Sequence, residues 1–349
     1  MSRIAVIGAG AWGTAVAKVL AENGHETVLW CLELDVAADV NENRKNSRYL
    51  EGVELPEGIR AVTDPLEAVA GCQAAFLAVP SLFLLATVKR LLTAPNIQEG
   101  ECLLAVLTKG FLPGPRGPRL IVETLEDYLP GFYRGNVVYV SGPSHAEEVA
   151  RGRITGLAAA CGNGRNAIRA RELMKRPYLL VFPSLDVVGV QVCGALKNVV
   201  AIAFGMLDAL KAREDEFGDN TESLLLAAGL NEIQTLGLAL GATHPETFTS
   251  IAGVGDLDVT CRSVFGRNRR FGREIIEKDV LAGFRDLGDL IARIREVGYI
   301  PEGVVACRHA ADLAAGLKVS MPICEGVRRI LDKETSPFDF MDAFMRGLG

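Results

Sequence analysis

The chain has 349 residues, 49% of them hydrophobic and 23% charged, with a net charge of −6. That length suits two globular domains with a sizeable core. The acidic balance offers nucleic acid no overall attraction, so no nucleic-acid partner is expected, and any anionic ligand must be held by local positive charge.

The eight cysteines are Cys31, Cys72, Cys102, Cys161, Cys193, Cys261, Cys307 and Cys324. No two form a C-x-x-C pair, and most lie inside apolar segments. They read as reduced core thiols of a cytoplasmic protein, not as disulfides or metal ligands. No metal is expected. No apolar run long enough to span a bilayer is read, so no membrane span is expected. Glycines interrupt the apolar N-terminus where a signal peptide would be continuous, so a strand, turn and helix fit it better.

The first elements follow in chain order. Arg3–Ile7 reads as a strand, and a helix follows a glycine turn and runs to about Asn23. Gly24 fits the position after the helix end. "ETVLW" is the next strand. The turn Gly8-Ala9-Gly10-Ala11-Trp12-Gly13 matches G-x-G-x-x-G. Gly8 allows the tight turn, Gly10 lets a pyrophosphate approach the backbone, and Gly13 lets helix and strand pack closely. The helix N-terminus supplies amide donors for the phosphates. A dinucleotide, NAD(H) or NADP(H), is expected. Glu33 lies just after the second strand, where a carboxylate accepts a ribose diol and repels a 2′-phosphate. Arg44, Lys45 and Arg48 follow and could reach such a phosphate. NAD(H) is favoured.

Gln73–Pro80 and Glu101–Gly110 read as buried parallel strands. Ligands sit at the carboxyl ends of such strands, which places Lys109 where a ligand could lie. Phe111–Arg119 reads as a Pro/Gly-rich loop. Val137–Val140 is a further strand, followed by a turn at Gly142-Pro143 and a helix from about Ser144, with Ser144 and Glu147 resembling a capping box. "ITGLAAAC" and "PYLLVF" complete the strand set. Residues 1–190 are therefore expected to form an α/β Rossmann-type, dinucleotide-binding domain with a parallel sheet.

Beyond residue 190 strand patterns disappear. An all-α helical domain over 191–349, binding substrate and carrying the catalytic residues, is expected. In "QVCGALKNVVAIAFG" Lys197 shares its helical face with Cys193, Gly194, Val200 and Ala201, an unusual place for an ammonium. Asp256 sits in the glycine-flanked segment "GVGDLDVTC". The loop "SVFGRNRRFGRE" concentrates Arg267, Arg269, Arg270 and Arg273, residues suited to phosphate. The charged segment 211–219 has no evident role.

The ordered stretches "GAGAWGTAVA", "LTKG", "SGPSHAEEV", "ALKNVVAIAFG", "GVGDLDVTC", "GRNRRFG" and "PEGV" resemble the bacterial-type NAD(P)-dependent glycerol-3-phosphate dehydrogenases over nearly the whole chain. The resemblance implies reversible reduction of dihydroxyacetone phosphate to sn-glycerol 3-phosphate, supplying the glycerophospholipid backbone, in a cytoplasmic homodimer. It implies Lys197 as the catalytic general acid and base, with Lys109 and Asp256 at the reacting centre. Gly142, Ser144, Asn198, Thr260, Gly266, Arg267 and Asn268 would line the substrate site. Ala11, Trp12, Tyr49, Lys109, Ala146, Arg267, Ile300 and Glu302 would contact the cofactor, beside Gly8, Gly10, Gly13 and Glu33. Desolvation of an amine lowers its pKa, so a lysine in an apolar setting can exchange protons near neutral pH.

Three positions depart from the family. Leu32 stands where many members have arginine or histidine, which weakens the case for NADP(H). Ala11 and Gly266 replace serine, leaving only backbone contacts there. The alternatives are a 6-phosphogluconate or 3-hydroxyacid type of dehydrogenase and a non-catalytic dinucleotide sensor. The arginine loop and "GVGDLDVTC" argue against the first, and the buried lysines against the second.

Overall fold

The computed structural model describes residues 2–347. Positions 1, 348 and 349, which the sequence reading assigns to the two domains, lie outside the described residues. The chain divides into two compact units: residues 1–109 with 121–190, and residues 110–120 with 191–349.

The first unit is built on an eight-stranded sheet. Its strands are β1 (Arg3–Ile7), β2 (Glu26–Trp30), β3 (Ile59–Val62), β4 (Ala74–Leu77), β5 (Leu103–Val106), β8 (Val138–Ser141), β9 (Thr155–Ala160) and β10 (Leu179–Ser184); β6 (Phe111–Gly114) and β7 (Gly117–Leu120) form a separate hairpin. The sheet order is β10-β9-β8-β5-β4-β1-β2-β3. Every residue of β4 and β5 is buried, as continuous apolar strands covered on both faces require.

The sheet is not wholly parallel, as the sequence suggested. β9 runs antiparallel to β8, and β10 runs parallel to β9. The link from β8 to β9 explains this. It contains one helix, Ala146–Ala150, of 5 residues, about 7 Å long at 1.5 Å per residue. So short a helix does not run back along the sheet as the crossover helix of a parallel unit does.

The Pro/Gly-rich stretch is not a loop. β6 and β7 pair antiparallel, and both pack on the helix Glu302–Leu317 of the second unit. Phe111, Leu112 and Leu120 are buried, which gives the hairpin an apolar anchor. Among its described residues the second unit is thus helical apart from this borrowed hairpin.

Its helices include Val187–Lys211, Asp219–Ala239, Asp256–Arg262, Arg267–Glu277, Glu302–Leu317 and Pro322–Leu331. Val187–Lys211 is long and apolar enough to cross a membrane, contrary to the sequence reading, but 89% of its most apolar window is buried within the fold. It is a core helix by that measure. A Cβ on Gly205 would lie 1.9 Å from the Arg269 carbonyl oxygen, and one on Gly272 2.1 Å from that of Ile202. Glycine at both places lets the helices Val187–Lys211 and Arg267–Glu277 touch backbone to backbone.

The charged segment 211–219 is ordered by specific contacts. Lys211 pairs with Asp219 and with Glu222, and Phe217 is buried edge-on to Phe338.

Candidate active site

The glycine turn of the first unit meets its three geometric demands. Gly8 has φ +118°, a left-handed conformation that side chains disfavour. A Cβ on Gly13 would lie 1.9 Å from the Gly8 carbonyl oxygen, whereas a Cβ on Gly10 would meet nothing within 4 Å. The first and third glycines are therefore needed by the turn itself. The second leaves open space beside the backbone. Gly10 is also the N-cap of the helix Ala11–Glu22, with no side-chain cap and no acidic residue in the first turn. These features fit the diphosphate of a dinucleotide, an anion placed at the positive end of the helix. Trp12 packs partly buried against the core.

Glu33 follows β2 and is engaged by its neighbour Tyr49, whose hydroxyl donates to Glu33 Oε1 at 2.8 Å. Burial and then the carboxylate raise the Tyr49 pKa, so the phenol remains a donor. Leu32 is exposed. Of the three nearby cations, Arg44 donates to the Ile59 carbonyl at 3.0 Å, Arg48 pairs with Asp35 at 3.4 Å, and the exposed Lys45 lies where its charge acts on Asp39.

Lys109 stands just beyond β5. Its Nζ donates to the Gly142 carbonyl at 3.0 Å and to Ser144 Oγ at 3.3 Å. Three residues singled out in the sequence are thus brought together. Gly142 has φ +129°, and a Cβ there would lie 3.0 Å from the Gly156 carbonyl oxygen. The expected capping box is absent in this form: the helix starts at Ala146, its N-cap is His145, whose side chain does not cap the helix, and Ser144 Oγ donates to Gly142 O at 2.9 Å. The tight turn at Gly142 directs the Ser144 hydroxyl back to its own loop. Ala146 opens a helix that packs on the dinucleotide helix Ala11–Glu22.

In the second unit Lys197 is 7% exposed and Asp256 is fully buried. The Lys197 ammonium contacts Asp256 Oδ1 and donates to Thr260 Oγ1 at 2.8 Å. Thr260 in turn donates to the Asp256 carbonyl at 2.6 Å. Asp256 and Thr260 lie one turn apart on the helix Asp256–Arg262, so one face of that helix presents both to the lysine. A buried charge requires such partners.

Asn198 and Asn268 are buried against each other. Asn268 Nδ2 donates to Asn198 Oδ1 at 2.9 Å, and Asn268 Oδ1 accepts from the Gly303 amide at 2.9 Å. A carboxamide nitrogen has two N–H donors, so this pairing uses half the donor capacity of Asn268. It also ties "ALKN", "GRN" and the start of "PEGV" together. Gly266 is the N-cap of the helix that Arg267 begins.

The arginine loop is less cationic than its composition suggests. Arg269 pairs with Asp208, Arg270 with Glu274, and Arg273 with Glu277. Arg267 is exposed and has no ion-pair partner among the described residues. Nearby, Tyr299 donates its hydroxyl to Glu274, whose carboxyl is held down at about 2 despite its burial. Ile300 and Glu302 follow directly on this anchored tyrosine.

Asn46, Gly303 and Glu274 also hold these segments in place, and their roles are not evident from the sequence. Asn46 left a local trace, since its Oδ1 accepts from the Tyr49 amide three residues on, a common asparagine habit. The Gly303 contact is between distant segments and left none. All eight cysteines are buried and none is in a disulfide, and burial pushes the Cys31 and Cys102 thiols up to about 12.

Comparison with known proteins agrees over both units. Residues 3–167 match the N-terminal model of the NAD-dependent glycerol-3-phosphate dehydrogenases and residues 186–342 match the C-terminal model. The glycerol-3-phosphate dehydrogenase (NAD(P)+) of Treponema denticola is 55% identical over 351 residues, covering 99% of this chain and 98% of its own. That of Treponema pallidum is 50% identical over 354 residues, covering 99% of both. The crystal structure of glycerol-3-phosphate dehydrogenase from Coxiella burnetii superposes with a TM-score of 0.84 at 31% identity, covering 99% of this chain and 98% of that one. The class so defined is that of the NAD(P)-dependent dehydrogenases with a Rossmann-type sheet and a helical region. Within it, the chain belongs to the NAD-dependent glycerol-3-phosphate dehydrogenase family.

Proposed function

We propose that the chain reduces dihydroxyacetone phosphate reversibly to sn-glycerol 3-phosphate, with Lys197 as the general acid. The observation that carries this reading is the buried Lys197 ammonium set between Asp256 and Thr260. The glycine turn would hold the diphosphate of a dinucleotide, whose reduced nicotinamide would supply a hydride for the substrate's carbonyl carbon. Negative charge then develops on the carbonyl oxygen. Lys197 Nζ holds a proton for that oxygen, and its charge counts for more where water is excluded. Asp256 orients the ammonium and offsets its burial. In the oxidative direction the neutral amine takes the proton back from the alcohol.

Arg267 binds the substrate phosphate, the task for which a guanidinium without a carboxylate partner is suited. Asn198, Asn268, Thr260 and the Gly266 backbone complete the substrate contacts in the helical domain, 191–349. In the dinucleotide-binding domain, 1–190, Lys109, Gly142 and Ser144 face substrate and cofactor. Gly8, Gly10, Ala11, Trp12, Gly13, Glu33, Tyr49 and Ala146 hold the dinucleotide, with Arg267, Ile300 and Glu302 contributing from the helical domain. Glu33 favours NADH over NADPH. The protein works in the cytoplasm as a homodimer and supplies the glycerophospholipid backbone.

The test is a spectrophotometric assay with dihydroxyacetone phosphate, run with NADH and NADPH in parallel. Oxidation of either cofactor supports the reading. Cofactor binding without oxidation would sink it in favour of a dinucleotide sensor.

A further inference from the structure

We propose that Tyr49, held in place by Asn46, sets the choice between the two cofactors by fixing the Glu33 carboxylate against the adenosine ribose. The proposal rests on the reading that Glu33 faces that ribose and deepens it.

Asn46 is 1% exposed. Its Nδ2 donates to the Ala9 carbonyl and to Thr14 Oγ1, both at 2.8 Å. Its Oδ1 accepts from the Tyr49 amide at 3.2 Å. Ala9 lies in the glycine turn and Thr14 in the first helix, and the Thr14 hydroxyl also donates to Ala9 O at 3.2 Å. One buried carboxamide thus bolts the loop that carries Tyr49 to the turn meant for the diphosphate. From that loop the Tyr49 hydroxyl reaches Glu33 Oε1 at 2.8 Å.

A glutamate at a strand end has three side-chain torsions and would otherwise sample many positions. The phenol engages one oxygen and leaves Oε2 to accept from a ribose hydroxyl, since an ionised carboxylate offers about four acceptor sites. The same fixed charge repels a 2′-phosphate. The charged side chains nearby do little to counter it: Lys45 is exposed and its charge acts on Asp39. Leu32 and Leu34 on either side of Glu33 are exposed and uncharged. Arg44 is committed to a backbone carbonyl. Arg48 pairs with Asp35 and lies 5.3 Å from the centroid of the Tyr49 ring. That pair is exposed and weak, so Arg48 is the cation that a 2′-phosphate recruits once the carboxylate is released.

The experiment compares wild type, Tyr49→Phe, Glu33→Gln and the double variant by kcat/KM for NADH and NADPH with dihydroxyacetone phosphate. Tyr49→Phe is expected to lower the NADH-to-NADPH ratio about 10-fold, the scale of one hydrogen bond to a charged group. Glu33→Gln lowers it at least as far, and the double variant goes no further than Glu33→Gln, because Tyr49 acts through the carboxylate. A merely structural role for Tyr49 would weaken both cofactors alike and leave the ratio alone, which overturns the proposal. A full Tyr49→Phe shift that persists in the E33Q background also overturns it, since the phenol then sets the ratio without acting through Glu33. An unchanged ratio in Glu33→Gln defeats the underlying reading of Glu33 itself.

Discussion

The Lys197 ammonium rests against the Asp256 carboxylate, 59 residues away in the sequence and fully shielded from solvent. Burying two charges is expensive, and a buried pair is weak evidence of stabilisation. Its presence in an otherwise apolar helix face points to use in chemistry.

Lys197→Ala should lower turnover by about 100-fold or more, the usual scale of general acid catalysis, while NADH binding persists. Asp256→Asn should be both slow and unstable, because breaking a buried pair leaves one charge uncompensated at a cost of about 3–5 kcal/mol. Lys197→Met combined with Asp256→Leu should regain stability and remain inactive. Steady-state turnover, urea unfolding and fluorescence titration with NADH check these outcomes. Near wild-type turnover in Lys197→Ala would mean another group supplies the proton.

Arg267→Ala should raise KM for dihydroxyacetone phosphate by about 10- to 100-fold, the worth of a charge-assisted hydrogen bond, and change KM for dihydroxyacetone little. The other arginines of the loop are already paired. Arg269→Ala would instead strand Asp208, whose side chain is largely buried, and should show as lost stability. Equal KM effects of Arg267→Ala on both ketones would defeat the phosphate role.

These two cases show what the sequence could and could not reveal. Gly8, Gly10 and Gly13 were legible because the turn is local and each glycine answers a separate steric demand. The arginine cluster was visible, but its neutralisation was only half readable. Arg270–Glu274 and Arg273–Glu277 follow i,i+4 spacing, whereas Arg269–Asp208 joins positions 61 apart. The partner of Lys197 came from the family resemblance, since no spacing rule links residues so distant. The reversal of β9 and the pairing of β6 with β7 were missed because they depend on crossover length and on a buried anchor elsewhere.

Cofactor choice follows from the charges around the second strand. Steady-state assays should show higher kcat/KM with NADH than with NADPH. Glu33 offers a carboxylate, Leu32 offers no cation, and Arg44 and Arg48 are occupied. Raising ionic strength should narrow the gap, because part of the discrimination is repulsion between exposed charges. A clear NADPH preference would place the Glu33 carboxylate away from the ribose.

Glu232 gives a prediction away from the chemistry. It is 6% exposed and accepts from the Ile323 and Cys324 amides at the start of the helix Pro322–Leu331. Burial raises its carboxyl from 4.5 to about 7, and the two amide bonds oppose that rise. The folded state therefore holds this proton more tightly than the unfolded chain. Between about pH 4.5 and pH 7 the unfolded chain has released it while the folded protein still retains it, so stability falls as pH rises through that window and levels off above it. The full effect is about 3 kcal/mol at 1.36 kcal/mol per unit. His25 and His309, whose pKa values burial lowers, act in the opposite direction, because the unfolded chain protonates them more readily. The measurement is thus the difference between wild type and Glu232→Gln in urea unfolding at pH 5, 6, 7 and 8. The variant keeps an acceptor oxygen for one amide and cannot ionise, so wild type should lose ground to it steadily up to about pH 7. A difference that stays constant over this range would show that Glu232 does not titrate there.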